Sequence, residues 1–116
     1  MSLKKRKVKT SYTTEGIFLI DGNNYWQGEC IILDYVKNCM FHGFFRDGRR
    51  IGKTTKTDIT SGNIISKTYY PLRGGVVKQS ISEEEYKKEL VLYRLGEIDC
   101  PQLSLLLKDY EFEGGK

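Results

Sequence analysis

The chain of 116 residues contains one histidine, one tryptophan, two prolines and three cysteines. A structural zinc site takes four nitrogen or sulfur ligands. His42, Cys30, Cys39 and Cys100 are the whole supply of His and Cys, and their spacing shows no ligand pattern, so neither a metal nor another cofactor is expected. An odd cysteine count without a CxxC pair argues against a disulfide framework and fits a reducing, cytoplasmic compartment. No apolar run approaches the roughly 18–20 residues that span a bilayer. The longest candidate, Ile31 to Val36, is broken by Asp34. No apolar segment follows the basic N-terminus, so no secretory signal is expected. Acid is missing at the start: no Asp or Glu precedes Glu15, while Lys4, Lys5, Arg6, Lys7 and Lys9 stand in a chain whose net charge is +4. The basic excess therefore belongs to the first residues. They read as a basic flexible tail over 1–12, with Lys4, Lys5, Arg6 and Lys7 able to attract an anionic partner. One domain follows over 13–116.

Hydrophobic residues make up 39% and charged residues 29%, which permits a packed core. From Gly16 to Ser80 turn signals recur at short intervals between β-branched and aromatic runs. Asp21-Gly22-Asn23 and Asp47-Gly48 are hairpin signals, and Val36-Lys37-Asn38 and Thr60-Ser61-Gly62 are further turns. Gly28 marks a bulge or a close backbone approach. Strands are expected over 17–20, 25–35, 40–46, 49–57, 63–70 and 76–80. The period then changes. Ser82 and Glu85 form a capping box, Glu83–Lys87 and Glu84–Lys88 are favourable i,i+4 pairs, and Tyr86, Leu90 and Tyr93 recur at helical spacing up to Gly96. A second helix from Pro101 would carry Leu103, Leu106, Leu107 and Tyr110 as its apolar stripe. The expected fold is α+β and mainly β: an antiparallel β-meander of about six strands over 13–80, then one or two C-terminal helices over 81–112. The helical stripes are expected to pack on the sheet, with the last helix as the place for any homo-oligomer contact.

Gly43-Phe44-Phe45-Arg46-Asp47-Gly48-Arg49-Arg50-Ile51-Gly52 has the skeleton G-x-F-x-x-G-x-x-x-G. This resembles the repeat of membrane occupation and recognition nexus (MORN) proteins and the small antitoxin-like proteins that carry a variant of it. Asp21-Gly22-Asn23-Asn24-Tyr25 looks like the opening of such a unit, and Gly62, Tyr69, Tyr70 and Gly74 echo the next. The family's Y-x-G stands here as Tyr25-Trp26-Gln27-Gly28, one residue longer. The resemblance spans 16–75. It implies a run of antiparallel hairpins used for binding rather than chemistry.

Catalytic motifs do not assemble. Gly52-Lys53-Thr54 lacks the glycine a phosphate loop needs at position 47, and the threonines that follow favour a strand over a helix. Cys39 and His42, three apart on a strand, would point to opposite faces. A lone histidine reads as a structural hydrogen-bonding group, and Glu83 to Glu85 are explained by the helix start. One constellation remains. Arg46, Arg49, Arg50, Lys53 and Lys56 lie on one hairpin, near Tyr25, Trp26, Tyr69 and Tyr70 if the strands pair consecutively. Guanidinium groups suit phosphates and carboxylates, and rings offer stacking faces. The sequence thus points to a non-catalytic, antitoxin- or inhibitor-like binding protein engaging a macromolecule, foremost a protein, through the meander. The alternative is a binder of phosphate ligands, either nucleic acid or a phosphorylated small molecule.

Overall fold

Short runs of alternating side chains, closed by Asp-Gly and Asn-containing turns, give six consecutive antiparallel strands. In a computed structural model, residues 3–9, 13–74 and 79–113 are described. The strands are β1 (Lys4–Lys9), β2 (Thr14–Ile20), β3 (Trp26–Asp34), β4 (Cys39–Arg46), β5 (Arg49–Asp58) and β6 (Ile64–Tyr70). Each pairs with the next, and a two-residue β7 (Phe112–Glu113) returns parallel to β1, giving the order β6-β5-β4-β3-β2-β1-β7. The meander agrees with the expected fold class, but its first strand was expected to be a tail. Lys4 to Lys9 pair in register with Ile20 to Glu15. The long aliphatic stems of lysine cover apolar surface while their charges reach water, and charged residues suit a strand near a sheet edge. Lys7 Nζ lies 3.6 Å from the Glu15 carboxylate across this pair. The strand expected over 76–80 falls mostly on residues outside those described. Gln79 and Ser80 are irregular, and Ile81 forms a single antiparallel bridge with Tyr69.

The turns follow from their residues. Asp47 (φ 51°) and Gly48 (φ 79°) form a two-residue link with both φ values positive, which matches strand twist. Two bulges sit at equivalent places in alternate hairpins, β2–β3 and β4–β5. Between its pairings with Phe18 and Ile20, β3 carries Gln27, Gly28 and Glu29 opposite Leu19 alone. Between its pairings with His42 and Phe44, β5 carries Gly52, Lys53 and Thr54 opposite Gly43 alone. Gly28 (φ 78°) and Gly52 (φ 63°) supply the left-handed backbone each bulge needs.

Helix α1 (Glu83–Arg94) starts where Ser82 Oγ accepts the Glu85 amide at 3.1 Å. It ends where Gly96 N donates to Tyr93 O and Glu97 N donates to Leu92 O, a Schellman closure. The expected second helix is instead two 3₁₀ turns, Pro101–Ser104 and Leu107–Asp109. Leu105 and Leu106 between them are extended, which lets Leu105 O accept the Glu29 amide at 2.9 Å. A continuous helix would forfeit that sheet contact.

Two apolar clusters result, one on each side of the sheet. On the helix side, Ile51, Leu72, Ile98 and Cys100 are buried, with Phe44, Tyr86, Leu90, Leu92, Tyr93 and Leu103 packed against them. The helical stripe is therefore core, as its spacing implied. Val91, beside the stripe, is exposed. On the reverse side, Phe18, Ile20, Cys30 and Phe45 are buried beneath Trp26, and this cluster consists of strand residues only.

Candidate interaction face

Register and alternation sort the expected site residues onto the two sides of the sheet. On the reverse face, Lys4 aligns with Ile20 and Trp26, and Arg6 aligns with Phe18, Cys30 and Gly43. Further along the strands, Gly16, Ile32, Phe41, Lys56 and Ser66 form a row. Phe45 pairs with Arg50. The rings pack tightly. Trp26 stacks on Phe18 with centroids 4.0 Å apart and meets Phe45 edge-on at 4.8 Å. The Arg50 guanidinium sits 5.4 Å from the Phe45 ring centre, and Lys56 Nζ sits 5.7 Å from that of Phe41. Both cations thus cap aromatic faces.

Strand β1 makes this face more basic than the meander residues alone, because Lys4 and Arg6 share it. The first basic residues are thus part of the sheet and not a separate tail. Among the described strand residues of β2 to β6, register puts acids on this face at one end, Asp34 and Asp58. Asp34 Oδ1 accepts the amides of Val36 and Lys37. Asp58 accepts the Ser61 amide and the Asn38 side chain, and its carboxyl is held below the ordinary range chiefly by the Ser61 amide. The reverse face is therefore polarised along the strands.

The remaining candidates separate from this group. Arg46 Nη1 donates to the carbonyls of Asp99 at 2.8 Å and Leu72 at 3.3 Å, which ties the C-terminal segment to β4. Arg49 pairs with Arg46 across the Asp47-Gly48 turn. Tyr69 lies on the helix side, where its ring is 4.9 Å from that of Tyr86, and Lys53 is in register with it. Tyr25 is exposed and overlies Gly48. Tyr70 alternates onto the reverse face opposite Gly52. Lys5 and Lys7 point with Leu19 and Ile17 to the helix side. Trp26, Arg50, Lys56, Tyr70, Lys4 and Arg6 are thus brought to one face. Arg46, Lys53, Tyr69, Lys5 and Lys7 are not.

Beneath the hairpins is a polar junction that sequence reasoning did not single out. Gln27 is buried, and its Nε2 donates to Asp21 Oδ2 at 2.9 Å and Asp47 Oδ1 at 2.7 Å. Its Oε1 accepts the Asp47 amide and Gln102 Nε2. Asp21 Oδ1 accepts the Asn23 and Tyr25 amides, and the Gln27 hydrogen bond leads the contacts that hold this carboxyl below its ordinary range. The recurrent Asp-Gly pair followed by a glutamine at the bulge was the available signal.

Cys39 and His42 are separated by the sheet. Cys39 lies between Asp34 and Asp58 on the reverse face, whereas His42 aligns with Ile31 and Thr55 on the helix side. His42 Nε2 is 2.6 Å from Glu29 Oε2, and Glu29 Oε1 accepts the Leu107 amide at 2.9 Å. Burial pushes the Glu29 carboxyl up, but the His42 and Leu107 hydrogen bonds and the His42 and Lys108 charges together hold it below its ordinary range. The Cys30 thiol is pushed up to about 12 by burial, the environment of a packed rather than an activated cysteine. Among the described residues there is no cluster of metal-ligand type and no helix long and apolar enough to cross a membrane. No family model, curated protein or solved structure matches this chain.

Proposed function

We propose that this chain is a non-catalytic binding protein, of antitoxin- or inhibitor-like type, that engages a partner macromolecule through the reverse face of its meander. The observation that carries this reading is the gathering of Lys4, Arg6, Arg50 and Lys56 around an aromatic cluster, with Asp34 and Asp58 set at one end of the face. Cationic groups fixed beside apolar surface serve recognition, because both the charge and the packing contribute when the partner arrives. The equivalent glycine bulges at Gly28 and Gly52 support a MORN-like hairpin scaffold as the frame. The phosphate-ligand reading has less support. Arg46 is committed to carbonyls, and Tyr69 lies across the sheet from Trp26.

The test is affinity capture from the native cell extract with three proteins: wild type, Arg50→Glu/Lys56→Glu and the control Lys53→Glu/Lys67→Glu, whose residues are in register with Tyr69 and Thr55 on the helix side. Wild type and control should retain the same macromolecule and release it as salt rises, while the reverse-face variant should not retain it. Equal retention by all three removes the reading.

A further inference from the structure

The geometry points to an acidic amphipathic helix of a partner protein as the ligand of the reverse face, a proposal that rests on the binding reading above. The cations stand on two strands, Lys4 and Arg6 on β1 and Arg50 and Lys56 on β5. Four inter-strand steps separate those strands, or about 19 Å measured along the sheet at the usual spacing. Between them lies an apolar floor. Phe18, Ile20, Cys30 and Phe45 are its buried layer, and Trp26, Ile32 and Phe41 remain partly accessible. An α-helix with its side chains is about 10–12 Å across, which leaves a few ångströms on each side for a carboxylate to meet a lysine or arginine. An extended strand is too narrow to touch both rims. The fitting ligand presents an apolar stripe to Trp26, Ile32 and Phe41 and flanks it with Asp or Glu on both sides.

Single-stranded nucleic acid fits less well. Its bases need open ring faces, and its closely spaced phosphates need a continuous cationic track. Here Trp26 is stacked on Phe18, the faces of Phe45 and Phe41 carry Arg50 and Lys56, and the cations fall into two separated rims. The margins also matter. Asp34 and Asp58 close one end of the face, so the acidic flank belongs over the end marked by Lys4, Trp26 and Arg50.

Trp26 is the only tryptophan, so its emission reads the face directly. The probes are a synthetic helical peptide of about 18 residues, about 27 Å long, with a leucine stripe flanked by glutamate, a composition-matched scramble without the stripe, and oligo-dT. The helical peptide should saturate a shift in Trp26 emission. The scramble should bind about tenfold more weakly, as should Lys4→Ala/Arg6→Ala and Arg50→Ala/Lys56→Ala with the helical peptide. Circular dichroism verifies that each variant keeps its fold. Three results overturn the proposal: tighter binding of oligo-dT, equal binding of the scramble, or loss confined to one rim. If the captured macromolecule depends on Arg50 and Lys56 but the helical peptide does not bind, the helix proposal fails and the binding reading stands. If neither depends on these residues, both fail.

Discussion

Gly28 shows how much of this fold rests on the absence of one carbon atom. Its φ is 78°, a region side chains enter only with strain, and a Cβ there would come within 2.5 Å of Leu105 Cβ and 2.8 Å of Leu105 O. The Leu105 carbonyl is the acceptor for the next residue's amide, so the connecting segment cannot simply move away. Gly28→Ala should therefore destabilise by about 2–4 kcal/mol, read as a lowered urea midpoint. Gly22→Ala is the control, since nothing lies within 4 Å of a Cβ at that position. Comparable midpoints for the two variants would show that the close approach is not rigid. The bulge was legible in the sequence because a glycine interrupts an otherwise continuous strand. What it makes room for was not, because Leu105 is distant in sequence and its backbone path depends on tertiary contacts.

At the scale of elements, the C-terminal segment separates what local pattern can tell from what it cannot. Capping at Ser82, the i,i+4 contact of Glu83 and Lys87 and the Gly96 closure are local, and α1 lies where they put it. The stripe of Leu103, Leu106, Leu107 and Tyr110 has helical spacing too, yet the segment forms 3₁₀ turns. There the sheet competes for the backbone: Leu105 O receives the Glu29 amide and the Leu107 amide goes to the Glu29 carboxylate. Glu29 thus docks the second turn onto β3, and this docking carries a pH dependence. Its carboxyl is held below the ordinary range in the folded protein, so its ionised form contributes stability above the unfolded-state pKa. That contribution is lost as pH falls through the lowered folded-state value. The urea midpoint should drop between neutral pH and about pH 3, and Glu29→Gln should drop less. Asp21 and Asp58, also lowered, keep part of the decline in the variant. Identical declines would assign the acid sensitivity elsewhere.

For the molecule as a whole, the main revision concerns where the sheet begins. Composition placed the basic residues outside the domain because charge density ordinarily marks a solvated tail. Lys4–Lys9 instead forms a strand that covers β2 and supplies the pairing edge for β7. Arg50 and Lys56 could be suspected from the hairpin alone, but the face they share with Lys4 and Arg6 depends on a strand that sequence reading assigned to a tail. Deleting residues 1–9 should lower the melting temperature by about 10 °C or more. It should also shift sedimentation toward larger species, because the β2 edge is left open to another chain. An unchanged melting temperature would return these residues to the status of a tail.

The three cysteines divide the interior into separately addressable volumes. Cys30 belongs to the reverse-face cluster, Cys100 to the helix-side cluster, and Cys39 to the Asp34–Asp58 end of the sheet, and all three are free and buried. A reagent added under native conditions must wait for each volume to open. The order in which the thiols are modified is then a clock with three hands, one for each part of the structure, and it distinguishes a fold that yields all at once from one that releases the helical layer before the sheet.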